Sequence, residues 1–136
     1  MTAATQVIID WIGSLGWDDR QELGWPVVAG PYIPPSPDQL LIITGAGGIG
    51  YTTEEPATDA ANFQARVRGD PDDPLGAETT AQLLDSMILS ARLPVVIDGV
   101  PIVAVFRAGG GPDPLPNDPG DRRTEFTNTY TIITGV

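Results

Sequence analysis

"LLIITGAGGIGYTTEEPATDA", residues 40–60, decides between two folds. Leu40–Thr44 reads as a buried strand, and Gly45, Gly47 and Gly50 follow at the G-x-G-x-x-G spacing that can cradle a dinucleotide's pyrophosphate. That chemistry needs a helix directly after the turn, because its N-terminus supplies the free N–H groups and positive dipole end that meet the phosphates. Residues 51–60 lack an apolar stripe, and Pro56 would cost a helix interior about 3 kcal/mol. Asp70 stands where a ribose-binding acid would be wanted, yet the next periodic segment is a strand. The stretch therefore reads as strand, flexible loop, strand, and no cofactor is expected. A P-loop is excluded as well, since its phosphate-binding lysine cannot come from a chain with no lysine.

The flanks extend this pattern. In Asn62–Arg68, Phe63, Ala65 and Val67 alternate with Gln64, Arg66 and Arg68, as in a strand packed on one face. Asp73 can cap a helix with Pro74 in its first turn, Ala77, Ala81, Leu84, Ile88 and Ala91 on one side, and Pro94 beyond its end. Asp98-Gly99 lies between two β-rich runs and suits a two-residue type I′ turn. After a loop over Ala108–Arg122 comes a last strand, with Phe126, Tyr130 and Ile132 opposite Glu125, Thr127, Thr129 and Thr131. Upstream, Val7, Ile8, Trp11, Ile12 and Leu15 form a helical stripe stopped by Gly16. The proline-rich Trp17–Gln39 suits an extended surface segment with a short strand around Val27–Ile33. The prediction is an α+β domain spanning 1–136: two helices packed on one face of a largely antiparallel β-sheet, with long Gly/Pro-rich loops.

A net charge of −11 opposes electrostatic binding of nucleic acid, which needs clustered cations to displace counterions. With no Cys and no His, thiol nucleophiles, zinc-thiolate sites and the commonest general base are gone. Ser36, Ser86 and Ser90 therefore have no histidine or lysine as base, and Glu54 and Glu55 are adjacent rather than opposed across a substrate. Asp70, Asp72 and Asp73 lack the spacing of a calcium loop and suit the start of a helix. No catalytic residue and no metal site is expected. No apolar run approaches a membrane span and the N-terminus lacks a signal-peptide pattern, so the chain reads as soluble and non-exported.

Surfaces remain. Arg66 and Arg68 project from the non-helical sheet face, to pair with a neighbour's carboxylates or with Glu125 of the same chain. Trp17, Trp25 and Tyr32 are anchors for an interface or packing within the monomer. Ile102–Phe106 is apolar at consecutive positions, so both faces of that strand need cover, from loops or from another subunit.

Element order and several stretches together resemble the tail terminator proteins of long-tailed bacteriophages, a family often labelled minor capsid protein. The likeness runs through the N-terminal helix, "GPYIPPSPDQLLIITGAGG", "FQARVRG" with its Arg68-Gly69 step into an Ala-rich helix, "VVIDGVPIVAVFRAGGGPDPLPNDPGDR" with Asp121-Arg122-Arg123, and "TEFTNTYTII". The Pro-rich stretch Gly109–Gly120 is longer than the family pattern. The resemblance implies a non-enzymatic, hexameric ring that caps the tail tube, ends its polymerisation and receives the head's connector. It places the protein at the neck of the virion after assembly in the host cytoplasm, with genomic DNA passing the lumen unbound. Under it, Arg66, Arg68, Arg123, Trp17, Trp25 and Tyr32 are candidates for the subunit interface. Gly47, Gly48, Tyr51, Gly110, Asp113 and Leu115 are candidates for contacts to adjacent rings. The alternatives are a head-completion or neck connector protein and, in another class, a nucleotide- or small-molecule-binding domain using Gly45–Gly50.

Overall fold

The computed structural model describes residues 4–17, 25–48, 58–116 and 120–135. The chain runs α1 (Ala4–Ser14), β1 (Val27–Ala29), β2 (Leu40–Gly48), β3 (Thr58–Pro71), α2 (Pro74–Leu89), β4 (Val95–Ile97), β5 (Val100–Leu115) and β6 (Arg123–Gly135). The strands form one six-stranded sheet in the order β1-β2-β3-β6-β5-β4, antiparallel except for the parallel pair β1–β2. Both helices cover one face, which is the α+β architecture expected from the pattern of periodicities.

Local chemistry explains the elements that the pattern reveals. Asp73 caps α2 by accepting from the Gly76 N–H at 3.1 Å, and Pro74 occupies the first turn, where its missing N–H costs nothing. Ala77, Ala81, Leu84 and Ile88 are buried against the sheet, and Val7, Ile8, Trp11 and Ile12 do the same for α1. Asp98 (φ 52°) and Gly99 (φ 78°) make the tight β4–β5 turn that closes Ile97 onto Val100. On β6, Phe126, Asn128, Tyr130 and Ile132 point at the helices, and Tyr130 stacks on Phe63 of β3 with centroids 5.2 Å apart.

Four boundaries differ from the sequence reading. The short strand near Val27–Ile33 is only Val27–Ala29. Gly30 then lies so close to Ile42 and Thr44 that a Cβ would collide with the Thr44 side chain. β2 continues past Thr44 through Gly48, which pairs with Ala61 across an irregularity after Gly45. Gly45–Gly48 thus belong to a strand, not to a loop and not to the turn and helix start that a pyrophosphate cradle requires. β3 runs well beyond Asn62–Arg68 in both directions. The expected loop from Ala108 is also strand as far as Leu115. Gly109–Pro112 bulge outward opposite Asn128, with Gly109 and Gly111 at φ near 110°, and Asp113–Leu115 then resume pairing with Thr127–Glu125.

The proline-rich stretch between β1 and β2 is a crossover. Parallel strands cannot be joined by a tight hairpin, and here residues 30–39 make the connection over the face opposite the helices. Leu40 and Ile42, opposite Arg68 and Arg66 in register and hence on that outer face, are almost fully buried although they lie outside the helix-side core.

Candidate functional site

The acids and arginines singled out in the sequence are largely used within the chain. Arg66 Nη2 meets Glu125 Oε2 at 2.6 Å, the same-chain alternative for that residue. Arg68 is buried and donates to the carbonyls of Asp38 (2.9 Å) and Pro37 (2.6 Å), which holds the crossover on the sheet. Burial, then the nearby Arg123, lower the Arg68 pKa against the pull of Glu125, Asp121 and Asp38. Arg123 donates to Asp121 Oδ1 at 3.1 Å and to Pro35 O at 2.8 Å. That pairing raises the Arg123 pKa and holds the Asp121 carboxyl below its ordinary value. Asp70 accepts from Gln39, Asp72 pairs with Arg122 at 3.2 Å, and Asp73 is the cap of α2.

Of the proposed aromatic anchors, Trp17 is buried, its Nε1 donating to the Trp25 carbonyl at 3.1 Å, and Trp25 packs half-buried against the core. Tyr32, on the crossover, is 73% exposed. The arginines Arg66, Arg68 and Arg123 thus share one face with the crossover that carries Tyr32, but their charged ends face their own chain. Gly47 and Gly48 end β2, Gly110, Asp113 and Leu115 lie along outer β5, and Tyr51 lies outside the described residues.

The apolar run that the sequence marks as needing cover on both faces lies along β5. β4 pairs with β5 only from Val100 to Ile102, and from Val103 onward no further strand lies on that side among the described residues. An irregularity in the pairing falls at Val103, which is 43% exposed. Phe106, opposite Thr131 on the face away from the helices, is 57% exposed. Within the run Ile102–Phe106, Ile102 is buried, Val105 packs on the core, and the remainder faces outward. Such a strip offers an open edge for pairing and an aromatic for desolvation, the means of binding another protein.

The inner face holds a second polar group. Asp85 of α2 accepts from Tyr130 and from Arg107, bridging the helix to β6 and β5. Burial, and next the Asp85 carboxylate, push the Tyr130 phenol far above its ordinary pKa, so it stays a proton donor. The group is a tie between layers.

No family model matches the chain, and no curated protein matches it. A solved structure that is 18% identical, with 96% of each chain covered, is similar with a TM-score of 0.55. At that identity the likeness speaks for the fold alone. No helix among the described residues is long and apolar enough to cross a membrane.

Proposed function

We propose that this chain is a structural virion protein of a long-tailed bacteriophage that caps the tail tube as a hexameric ring, ends tube polymerisation and provides the head-to-tail joining surface. The observation that carries the reading beyond the sequence resemblance is the open rim of β5, with Val103 and Phe106 exposed beside it. A cyclic ring needs two different, complementary surfaces on every subunit. The sheet presents one edge at β5 and another at β1, on opposite sides of the same molecule. The tail tube protein and a head-completion or connector protein are the other partners. A charge of −11 suits a lumen through which DNA slides without sticking. The reading assigns no catalysis.

Native mass spectrometry of the purified chain, alone and with isolated tail tubes, tests it. A cyclic oligomer, or a monomer that assembles only on tubes, supports the ring, and Phe106→Asp should abolish it while circular dichroism stays unchanged. A chain that remains monomeric in both settings, or antibody labelling of particles away from the neck, overturns it.

A further inference from the structure

Residues 30–39, between β1 and β2, form a strap fastened to the sheet at both ends. At its start the Gly30 N–H donates to Ile43 O at 2.7 Å. Towards its far end Arg123 donates to Pro35 O at 2.8 Å, and Arg68 donates to Pro37 O and Asp38 O at 2.6 and 2.9 Å. Between those points Tyr32 is left 73% exposed. An aromatic displayed on main chain that is already held loses little further freedom on binding, which is what an interface anchor requires. Leu40 and Ile42, apolar residues of the face that the strap crosses, are buried.

The far side of the same face is bare. Val96 of β4, whose neighbours Val95 and Ile97 pack on the core, is 64% exposed, and Phe106 of β5 stands beyond it, with no strap over either among the described residues. Strap and bare face lie four strand spacings apart, from β1 to β5, about 19 Å along the sheet. Two copies of a chain with a net charge of −11 repel each other unless the surfaces that meet carry little charge. Residues 30–37 and 100–106 contain no Asp, Glu, Lys or Arg. The charged residues directly after them, Asp38 and Arg107, are paired within the chain with Arg123 and Asp85. A raised, charge-free strap on one side and a charge-free bare face on the other make a head-to-tail contact, the kind that closes into a ring, rather than a two-fold one.

Resting on the ring reading, we propose that the strap of one copy lies on the bare β5 face of the next, with Tyr32 against Phe106, so that each subunit covers its neighbour's β5 as it covers its own Leu40 and Ile42. The chain has no cysteine, so an introduced pair reports on this contact alone. Tyr32→Cys and Phe106→Cys proteins, both altered at exposed positions, are mixed where rings form, alone or on tail tubes, and oxidised, and dimers are read by denaturing electrophoresis. A disulfide needs Cα atoms within about 7 Å. The mixture gives a covalent dimer, neither protein alone does, and Leu75→Cys, exposed on α2, gives none with Phe106→Cys. Without cross-linking, Tyr32→Ala and Phe106→Ala each weaken assembly about tenfold, and the double variant is little weaker than either. Rings in native mass spectra with no mixed disulfide, a disulfide formed by the Phe106→Cys protein alone, or additive alanine effects overturn the contact and leave the ring standing. A chain that stays monomeric alone and on tubes removes the ring reading and the contact with it.

Discussion

Tyr130 Oη donates to Asp85 Oδ1 at 2.7 Å while Arg107 Nη1 meets Asp85 Oδ2 at 2.5 Å, so one carboxylate on α2 is held by two neighbouring strands. Removing one partner of a buried ion pair costs about 3–5 kcal/mol when the other is left dry. The Arg107 side chain is 31% exposed and can recover water. Asp85→Ala is therefore expected to cost about 2–3 kcal/mol. Tyr130→Phe, which deletes one hydrogen bond and leaves the ion pair, costs about 1 kcal/mol. Urea denaturation followed by circular dichroism gives both values, and the reverse order would show that the carboxylate does not join the layers.

The same phenol sets an alkaline limit. Its pKa is raised on folding, by burial first and then by Asp85, so the folded chain keeps a proton that the unfolded chain releases near pH 10. The stabilisation is complete below that pH and declines as pH rises past it. Wild type should lose stability steeply above about pH 10, with Tyr130 phenolate absorbance rising only alongside unfolding. The Tyr130→Phe protein should show a shallower decline.

Arg68 fixes the crossover rather than the sheet. Its guanidinium satisfies Pro37 O and Asp38 O from a strand that is already paired on both sides. Arg68→Met should cost about 1–3 kcal/mol and open residues 30–39 to proteolysis at protease levels that leave wild type intact. Unchanged cleavage would mean that Arg123 and the apolar cover of Leu40 and Ile42 suffice.

These ties mark where sequence reading succeeds and where it stops. The cap at Asp73, the stripe of α2 and the Asp98-Gly99 turn are visible because the residues that decide them are neighbours in the chain. β1 is three residues long and exists because β2 lies beside it, which no local periodicity announces. The glycine-rich runs 45–48 and 109–112 signal loop, yet β3 and β6 hold them in or beside strands, because long-range pairing outweighs weak intrinsic preference. The sequence places Arg66 and Arg68 on the outer face, but not the Pro37 and Asp38 carbonyls that take up Arg68. The open strip at Val103 and Phe106 is legible in the apolar run Ile102–Phe106, which needs cover on both faces, but the sequence does not say that loops leave it open.

Gly69 is where β3 passes under α2. A Cβ built there would lie 2.8 Å from Ala77 Cβ and 3.4 Å from Ala77 Cα, so strand and helix are as close as two small residues allow. Gly69→Ala should cost about 1–3 kcal/mol by overpacking. Ala77→Gly costs about 1 kcal/mol of helix propensity but vacates the clashing position. The double variant should be more stable than the sum of the single effects predicts, a coupling that a thermal-denaturation cycle measures directly. Strict additivity would place the strain elsewhere.

Asp98 carries two opposed demands. It takes the left-handed conformation of the β4–β5 turn, φ 52°, and its carboxyl shares a hydrogen bond with Asp10 of α1. That bond raises the Asp98 pKa while lowering that of Asp10, so Asp98 is the partner that favours holding the proton. A raised acid pKa stabilises the fold at low pH and loses that contribution as pH climbs through the folded value. At pH 7 two carboxylates face each other. Asp98→Asn supplies a permanent amide donor to Asp10 and converts Asp-Gly into Asn-Gly, equally suited to a type I′ turn. The variant should melt at a higher temperature than wild type at pH 7, and the gain should shrink as pH falls into the carboxylate range, where Asp98, its pKa raised, regains its own proton. An advantage that persists undiminished in acid would assign the effect to the turn alone and remove the contact between α1 and the hairpin from the account.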